Sequence, residues 1–169
     1  MKGQLEQYGE TTSYVIRINR VHKIIKGGLT MRYNAMVVCG NMRGTAGFGV
    51  GKGKVARHAV NLAFLKAQRN ILHVSCRDGR TLYHDVQGKH AASKVDLRAA
   101  KPGSGLVCSD VVRGVLESVG ISDCIAKCHG SRNKFNVIQA TFNALTHHRS
   151  VEDIAFMRGR RLIDLSKQI

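Results

Sequence analysis

Apolar residues alternate with polar and basic ones over Tyr14–Ile24 (YVIRINRVHKI), a period of two that predicts a half-exposed strand with a basic face. Lys26-Gly27-Gly28 predicts a turn. In the next segment Met31, Tyr33, Ala35, Val37 and Cys39 fall on one strand face, with Arg32 and Asn34 on the other. Gly40-Asn41-Met42-Arg43-Gly44 reads as a second hairpin connection, and Ala46–Val50 as a third strand broken by glycines. From Lys54 the period lengthens: Ala56, Val60, Ala63, Ala67 and Ile71, with Phe64, form one helical stripe, and Arg57, Asn61, Gln68 and Arg69 lie opposite. The first unit is therefore β-β-β-α.

The second unit begins near Leu72, with strands expected over Thr81–Val86 and Val95–Ala99 and punctuation at Pro102-Gly103-Ser104-Gly105. Ser109 or Asp110 can cap a helix carrying Val111, Val112, Val115, Leu116 and Val119, with Gly120 just past its end. A short strand over Cys124–Cys128 leads to a turn at Gly130-Ser131. Asn136 can cap a further helix bearing Ile138, Phe142 and Leu145, with His147-His148 at its exposed end. Ser150-Val151-Glu152-Asp153 has the form of a capping box opening a last short helix. This half reads β-β-α-β-α-α, so the chain as a whole is α+β. The expected division is an N-terminal extension (1–13), a first domain (14–72), a C-terminal α+β domain (73–157) and a basic tail (158–169).

Charge sharpens this picture. The formal net charge is +16, and from Thr11 to Arg77 there are twelve Lys or Arg and no Asp or Glu. A surface so unevenly charged is built to lie against a polyanion. A membrane is the poorer match, because the apolar runs are short and no basic helix carries the large apolar face of an interfacial anchor. The five cysteines, Cys39, Cys76, Cys108, Cys124 and Cys128, are odd in number and irregularly spaced, which suits a reducing compartment. The opening MKGQLEQYGE has the form of neither a secretory signal nor a transit peptide.

The string Gly47-Phe48-Gly49-Val50-Gly51-Lys52-Gly53 invites a phosphate-loop reading. It lacks the Gly five residues before Gly51 and the Ser or Thr after Lys52 that such a loop needs, and the dinucleotide fingerprint fails at Lys52. What survives is a tight β-turn or a backbone pressed close to RNA. Lys52, Lys54 and Arg57 follow at the opening of a helix, where side-chain charge and helix N–H groups would meet one phosphate together.

Cys124-x-x-x-Cys128-His129 departs from metal and haem spacing, and on a strand Cys124, Ala126 and Cys128 share the face of small core residues. His84-Asp85 with Ser75, Ser93 or Ser131 has no nucleophile elbow around it. These readings leave no catalytic residue, metal ligand or cofactor. With 5% aromatic residues and no Trp, recognition through backbone and shape of folded RNA fits better than a base-stacking platform.

The stretches INRVHKIIKGG (Ile18–Gly28), VVCGNMRGTAGFGVGKG (Val37–Gly53), KAQRN (Lys66–Asn70), GSGLV (Gly103–Val107), VLESVGI (Val115–Ile121), AKCHGSRN (Ala126–Asn133) and the closing RGRRL occur in one order. In that order the chain closely resembles the universal small-subunit ribosomal protein S-five family, over about Tyr14 to Leu165. The resemblance implies an N-terminal domain like a double-stranded-RNA-binding fold and a C-terminal α+β domain. It implies a structural, non-enzymatic component of the small ribosomal subunit near the messenger entrance and decoding region. Ribosomal RNA and proteins of the S-four and S-eight families would be its partners, with messenger RNA nearby and no membrane or small-molecule substrate. Family members influence decoding accuracy through the S-four contact, and the resemblance implies that the loop here formed by Lys26-Gly27-Gly28 would pack on a small-subunit RNA helix near the spectinomycin site.

Two positions depart from the bacterial pattern: Leu29 stands where Arg follows the loop, and Asn41-Met42-Arg43-Gly44 replaces a D-G-N-G turn. These, with the Cys and His enrichment and Tyr83-His84-Asp85, resemble an organellar, mitochondrial member more than a bacterial or plastid one. The expected RNA-facing side chains are Arg17, Arg20, Lys23, Lys26, Arg32, Arg43, Lys52, Lys54 and Arg57. Gly27, Gly28, Gly47, Gly49 and Gly51 would allow close backbone approach.

Overall fold

The computed structural model describes residues 11–160; most of the expected N-terminal extension and of the basic tail lies outside them. Contacts divide the described residues into two compact units, 11–73 with 110–120, and 74–109 with 121–160.

The first unit is a four-stranded antiparallel sheet, β1 (Thr12–Ile25), β2 (Gly28–Gly40), β3 (Thr45–Gly53) and β4 (Ile71–His73), in spatial order 1-2-3-4, with helix α1 (Ala56–Ala67) between β3 and β4. The two-residue turn Lys26-Gly27 joins β1 to β2, and Gly28 follows at φ 126°, a value L side chains rarely adopt. A bulge between Val15 and Arg17 shifts the alternation of β1 by one residue.

Along β2 the odd residues Ala35 and Val37 pack on Ala59 and Ala63 of α1, with Tyr33, Val60 and Phe64 around them, and Cys39 packs on Ala67. The buried stripe of α1 thus starts at Ala59, not Ala56, and Ile71 begins β4 instead of ending the helix. β3 runs unbroken through its glycines, because the ladder needs only N–H and C=O groups, which glycine keeps.

Helix α2 (Asp110–Val119) lies within the 73–157 stretch, yet its contacts place it in the first unit. Its last carbonyls find donors in the loop between β2 and β3: Met42 N–H donates to Ser118 at 3.1 Å and Gly44 N–H to Val119 at 2.7 Å. Gly114 fits under Ile16, where a Cβ would come within 2.9 Å of Cδ1.

The second unit holds β5 (Val86–His90), β6 (Ser93–Ala99), β7 (Leu106–Val107) and β8 (Cys124–Gly130), in order 5-6-8-7, with only the β7–β8 pair parallel. Helix α3 (Lys134–His147) covers one face, and α4 (Val151–Met157) follows. A Cβ on Gly88 would stand 2.0 Å from the Ala140 carbonyl, so β5 and α3 touch backbone to backbone.

Most of Thr81–Val86 is loop; the strand starts at Val86. Its polar groups are taken locally, as where the Tyr83 N–H donates to the buried His148 Nε2 at 2.9 Å. Asn133, not Asn136, caps α3 by accepting the Phe135 N–H at 3.2 Å, and Asn136 already lies in its first turn. Ser150 and Asp153 form the expected capping box of α4. The turn after Pro102 is held by Asp123, which accepts the N–H groups of Gly105 at 2.9 Å and Gly103 at 3.0 Å and pairs with Arg80 at 3.1 Å. The Gly105 bond first, then Arg80, hold its carboxyl below the usual carboxylate range.

Candidate nucleic-acid interface

The glycine string of β3 is occupied from one side. A Cβ on Gly47 would sit 2.3 Å from the Ala67 carbonyl oxygen, on Gly49 2.1 Å from that of Ala63, and on Gly51 2.1 Å from that of Ala59. Every second residue of β3 is a glycine because α1 lies directly on the strand, one helical turn per glycine. The space these three residues leave goes to the helix, not to an RNA strand.

The residues between them point the other way. Opposite partners on an antiparallel ladder share a face, so Lys52 stands beside Asn34, Arg32 beside Val21, Lys23 beside Thr30 and Arg17 beside Met36, all on the side of the sheet away from α1. Here the β1–β2 hairpin and β3 enclose a groove of about 550 Å³ lined by Val21, Lys23, Ile25, Thr30, Arg32, Tyr33, Asn34 and Lys52. A second hollow of about 380 Å³, lined by Arg32, Lys52, Gly53, Lys54, Val55 and His58, adjoins it. Arg32 and Lys52 belong to both.

The second hollow opens at the N-terminus of α1. Val55 at the N-cap offers no side-chain hydrogen bond and the first turn holds no acidic residue, so the helix's own cap and first turn supply no anion to its terminal N–H groups and dipole. Lys54, Arg57 and His58 are exposed there. An anion at this end would gain both kinds of attraction.

Other expected residues lie apart. Arg20 is on the opposite face of the hairpin, its Nε donating to the Met31 sulfur. Lys26, Gly27 and Gly28 form the exposed hairpin tip, with nothing within 4 Å of where a Cβ on Gly27 or Gly28 would be. Arg43 sits in the loop at the far end of β2 and β3, with its N–H held by the Asn41 side chain at 2.9 Å. The ion pairs among the described residues, Arg77–Asp78, Arg80–Asp123 and His129–Asp96, involve none of these cations.

A second basic face is not apparent from the charge count. On the side of the second sheet away from α3, the ladder places Lys89 opposite Lys94 and Lys94 opposite His129, with Lys127 opposite Asp96. Like charges directly opposite, as at Lys89 and Lys94, destabilise a sheet; Asp96 approaches His129 at 3.4 Å. The signal lies in the alternation of Lys94, Asp96 and Arg98 along one strand and of Lys127 and His129 along another.

Reactive side chains elsewhere are engaged structurally. Burial pushes the Cys39 thiol up to about 11 and the Cys124 thiol to about 12, which keeps both protonated. The Asp85 carboxylate accepts the Ala99 N–H at 3.1 Å and Ser93 donates to the Ser131 carbonyl at 2.6 Å, so neither is aimed at His84. His148, expected at an exposed helix end, is buried and stacks on His84 at 4.9 Å and Tyr83 at 5.8 Å between ring centroids. Burial, and then the neighbouring His84, push its pKa down to about 4. No helix among the described residues is long and apolar enough to cross a membrane.

Comparison with known proteins adds a sequence relation to this geometry. Residues 11–75 match the family model described as ribosomal protein S5, N-terminal domain, and residues 88–158 match that for its C-terminal domain. The small ribosomal subunit protein uS5 of Cereibacter sphaeroides is 42% identical over 163 residues, covering 96% of this chain and 87% of the relative. The protein of the same name from Brucella anthropi is 42% identical over 158 residues, covering 94% and 85%. That from Rhizobium etli is 44% identical over 154 residues, covering 91% and 82%.

Proposed function

This chain belongs to the ribosomal protein S5 family, and from that premise we propose that it lies near the messenger entrance and decoding region of the small ribosomal subunit. As a member of this structural family it is a constituent of the small subunit that binds ribosomal RNA beside neighbouring ribosomal proteins. In the proposed placement it supports assembly and translational accuracy, with the S-four and S-eight families as its protein neighbours and messenger RNA close by.

One observation carries the electrostatic mechanism. Between Thr11 and Arg77 no acidic residue offsets twelve Lys and Arg, and the fold gathers Lys23, Arg32, Lys52 and Lys54 around two adjoining hollows. These cations replace condensed counterions on ribosomal RNA, so affinity falls with salt. If about eight phosphates are neutralised, the log–log slope is on the order of −5 to −7. The supporting role of Gly47, Gly49 and Gly51 in this reading is to seat α1 so that its N-terminus borders the same basic surface.

The relatives named above are bacterial, which supports a ribosome of bacterial type. Within that type, a mitochondrial ribosome is proposed on the Cys and His content and on the departures at Leu29 and Asn41–Gly44. The test is sucrose-gradient sedimentation of native organelle lysate with mass-spectrometric detection of this chain. The expected result is co-migration with small subunits and release only at high salt. Recovery in the soluble fractions would refute the ribosomal placement, and tight RNA binding that ignores salt would refute the mechanism.

A further inference from the structure

We infer that the two hollows on the open face of the first sheet form one site for two consecutive unpaired nucleotides, with the phosphodiester between them held by Arg32 and Lys52. The inference rests on the RNA-binding reading above and adds what the site selects. Arg32 and Lys52 are the lining side chains shared by both hollows, so a phosphate between them has one nucleoside space on either side.

The larger space, about 550 Å³, is within the size range of small-ligand sites, and its walls are mixed in a way a phosphate alone does not require. Val21 and Ile25 are 51% and 48% exposed there; folding leaves these apolar surfaces uncovered, and a base face would cover them. Asn34, opposite Lys52 on the ladder, has a buried Oδ1 with no hydrogen-bond partner, and a side-chain amide matches both donors and acceptors on a base edge. The smaller space ends at Lys54, His58 and the uncapped start of α1, which suits the phosphate on the far side of the second nucleoside.

A continuous A-form duplex keeps its bases stacked inside and its deep groove closed to side chains, whereas loops and bulges splay bases out. The site therefore favours RNA with an unpaired dinucleotide. An acidic protein segment is the poorer occupant, since the cores of protein interfaces are depleted in Lys and this site is ringed by Lys23, Lys52 and Lys54.

The experiment uses the full chain and two RNA hairpins of equal stem length, one uninterrupted and one with a two-nucleotide bulge carrying 2-aminopurine. Wild type should bind the bulged RNA about tenfold more tightly, a difference of about 1.4 kcal/mol, with a change in 2-aminopurine emission. Val21→Trp, which fills the larger space on an exposed strand, should abolish that preference, bringing affinity for the bulged RNA down to the level the same variant shows for the uninterrupted hairpin. Lys52→Gln should weaken both. Equal wild-type affinities, or a preference that survives Val21→Trp, would overturn the dinucleotide site while leaving RNA binding intact. Competition by poly-glutamate as effective as by bulged RNA would overturn it in favour of an acidic protein. Failure to bind either hairpin would overturn the RNA-binding reading itself.

Discussion

Replacing Gly49 by Ala separates two accounts of the glycine string. The added Cβ would stand 2.1 Å from the Ala63 carbonyl oxygen and 2.5 Å from the Ala67 nitrogen, where real Cβ contacts stay beyond 3.0 Å. Both atoms are backbone, so no side-chain rotation relieves the clash, and α1 must lift by about 1 Å. That lift loosens Ala59 and Ala63 from Ala35 and Val37. Overpacking of this kind costs about 1–3 kcal/mol and sometimes more, and the stiffer unfolded chain returns about 0.4–1 kcal/mol. A net loss of about 1–2 kcal/mol is expected. With a slope of about 2 kcal/mol per molar urea, the unfolding midpoint of the full chain falls by about 0.5–1 M. Gly27→Ala is the control: nothing lies within 4 Å of its Cβ position, and its stability should match wild type within about 0.5 kcal/mol. If Gly49→Ala proved as stable as Gly27→Ala and lost only RNA affinity, the glycines would face RNA and the helix-seating argument would be wrong.

Below pH 6.5 the second unit should weaken in a defined window. The His148 pKa falls from 6.5 unfolded to about 4 folded, so the unfolded state takes up the proton first. Stability is complete above pH 6.5, declines by up to about 3 kcal/mol as pH falls to 4, and is flat in this respect below that; His148→Gln should remove the slope in a pH series of urea titrations. Lys54→Gln with Arg57→Gln should weaken binding to structured RNA of any sequence and reduce the log–log salt slope by about 1.5–2, whereas an unchanged slope would remove the α1 N-terminus from the interface. Ser150→Ala deletes the capping box of α4 and should cost about 1 kcal/mol, visible as faster amide exchange over Val151–Met157. Lys94→Glu, by placing opposite charge across from Lys89, should stabilise the second sheet by about 0.2–1 kcal/mol; destabilisation would contradict the register.

Short-range patterns were legible wherever one neighbour explains a residue. The alternation around Tyr33, Ala35 and Val37, the turn at Lys26-Gly27, the C′ position of Gly120 at φ 101° and the Ser150 capping box each follow from local chemistry. So did the concentration of positive charge, because charge is a sum over residues and needs no fold.

What stayed hidden in the residue order depends on partners distant along the chain. Gly47, Gly49 and Gly51 look the same whether a ligand or a helix fills their empty side, and only packing shows that it is the helix. Asn133 and Asn136 are equally good caps until the chain direction at the end of β8 chooses one. His148 reads as a polar helix end, yet the loop carrying Tyr83 and His84 folds over it and supplies the N–H that makes its burial tolerable. The pairing of Val21 with Arg32 and of Asn34 with Lys52 depends on hairpin register. Register turns scattered cations and exposed aliphatic residues into one surface, because it decides which side chains share a face.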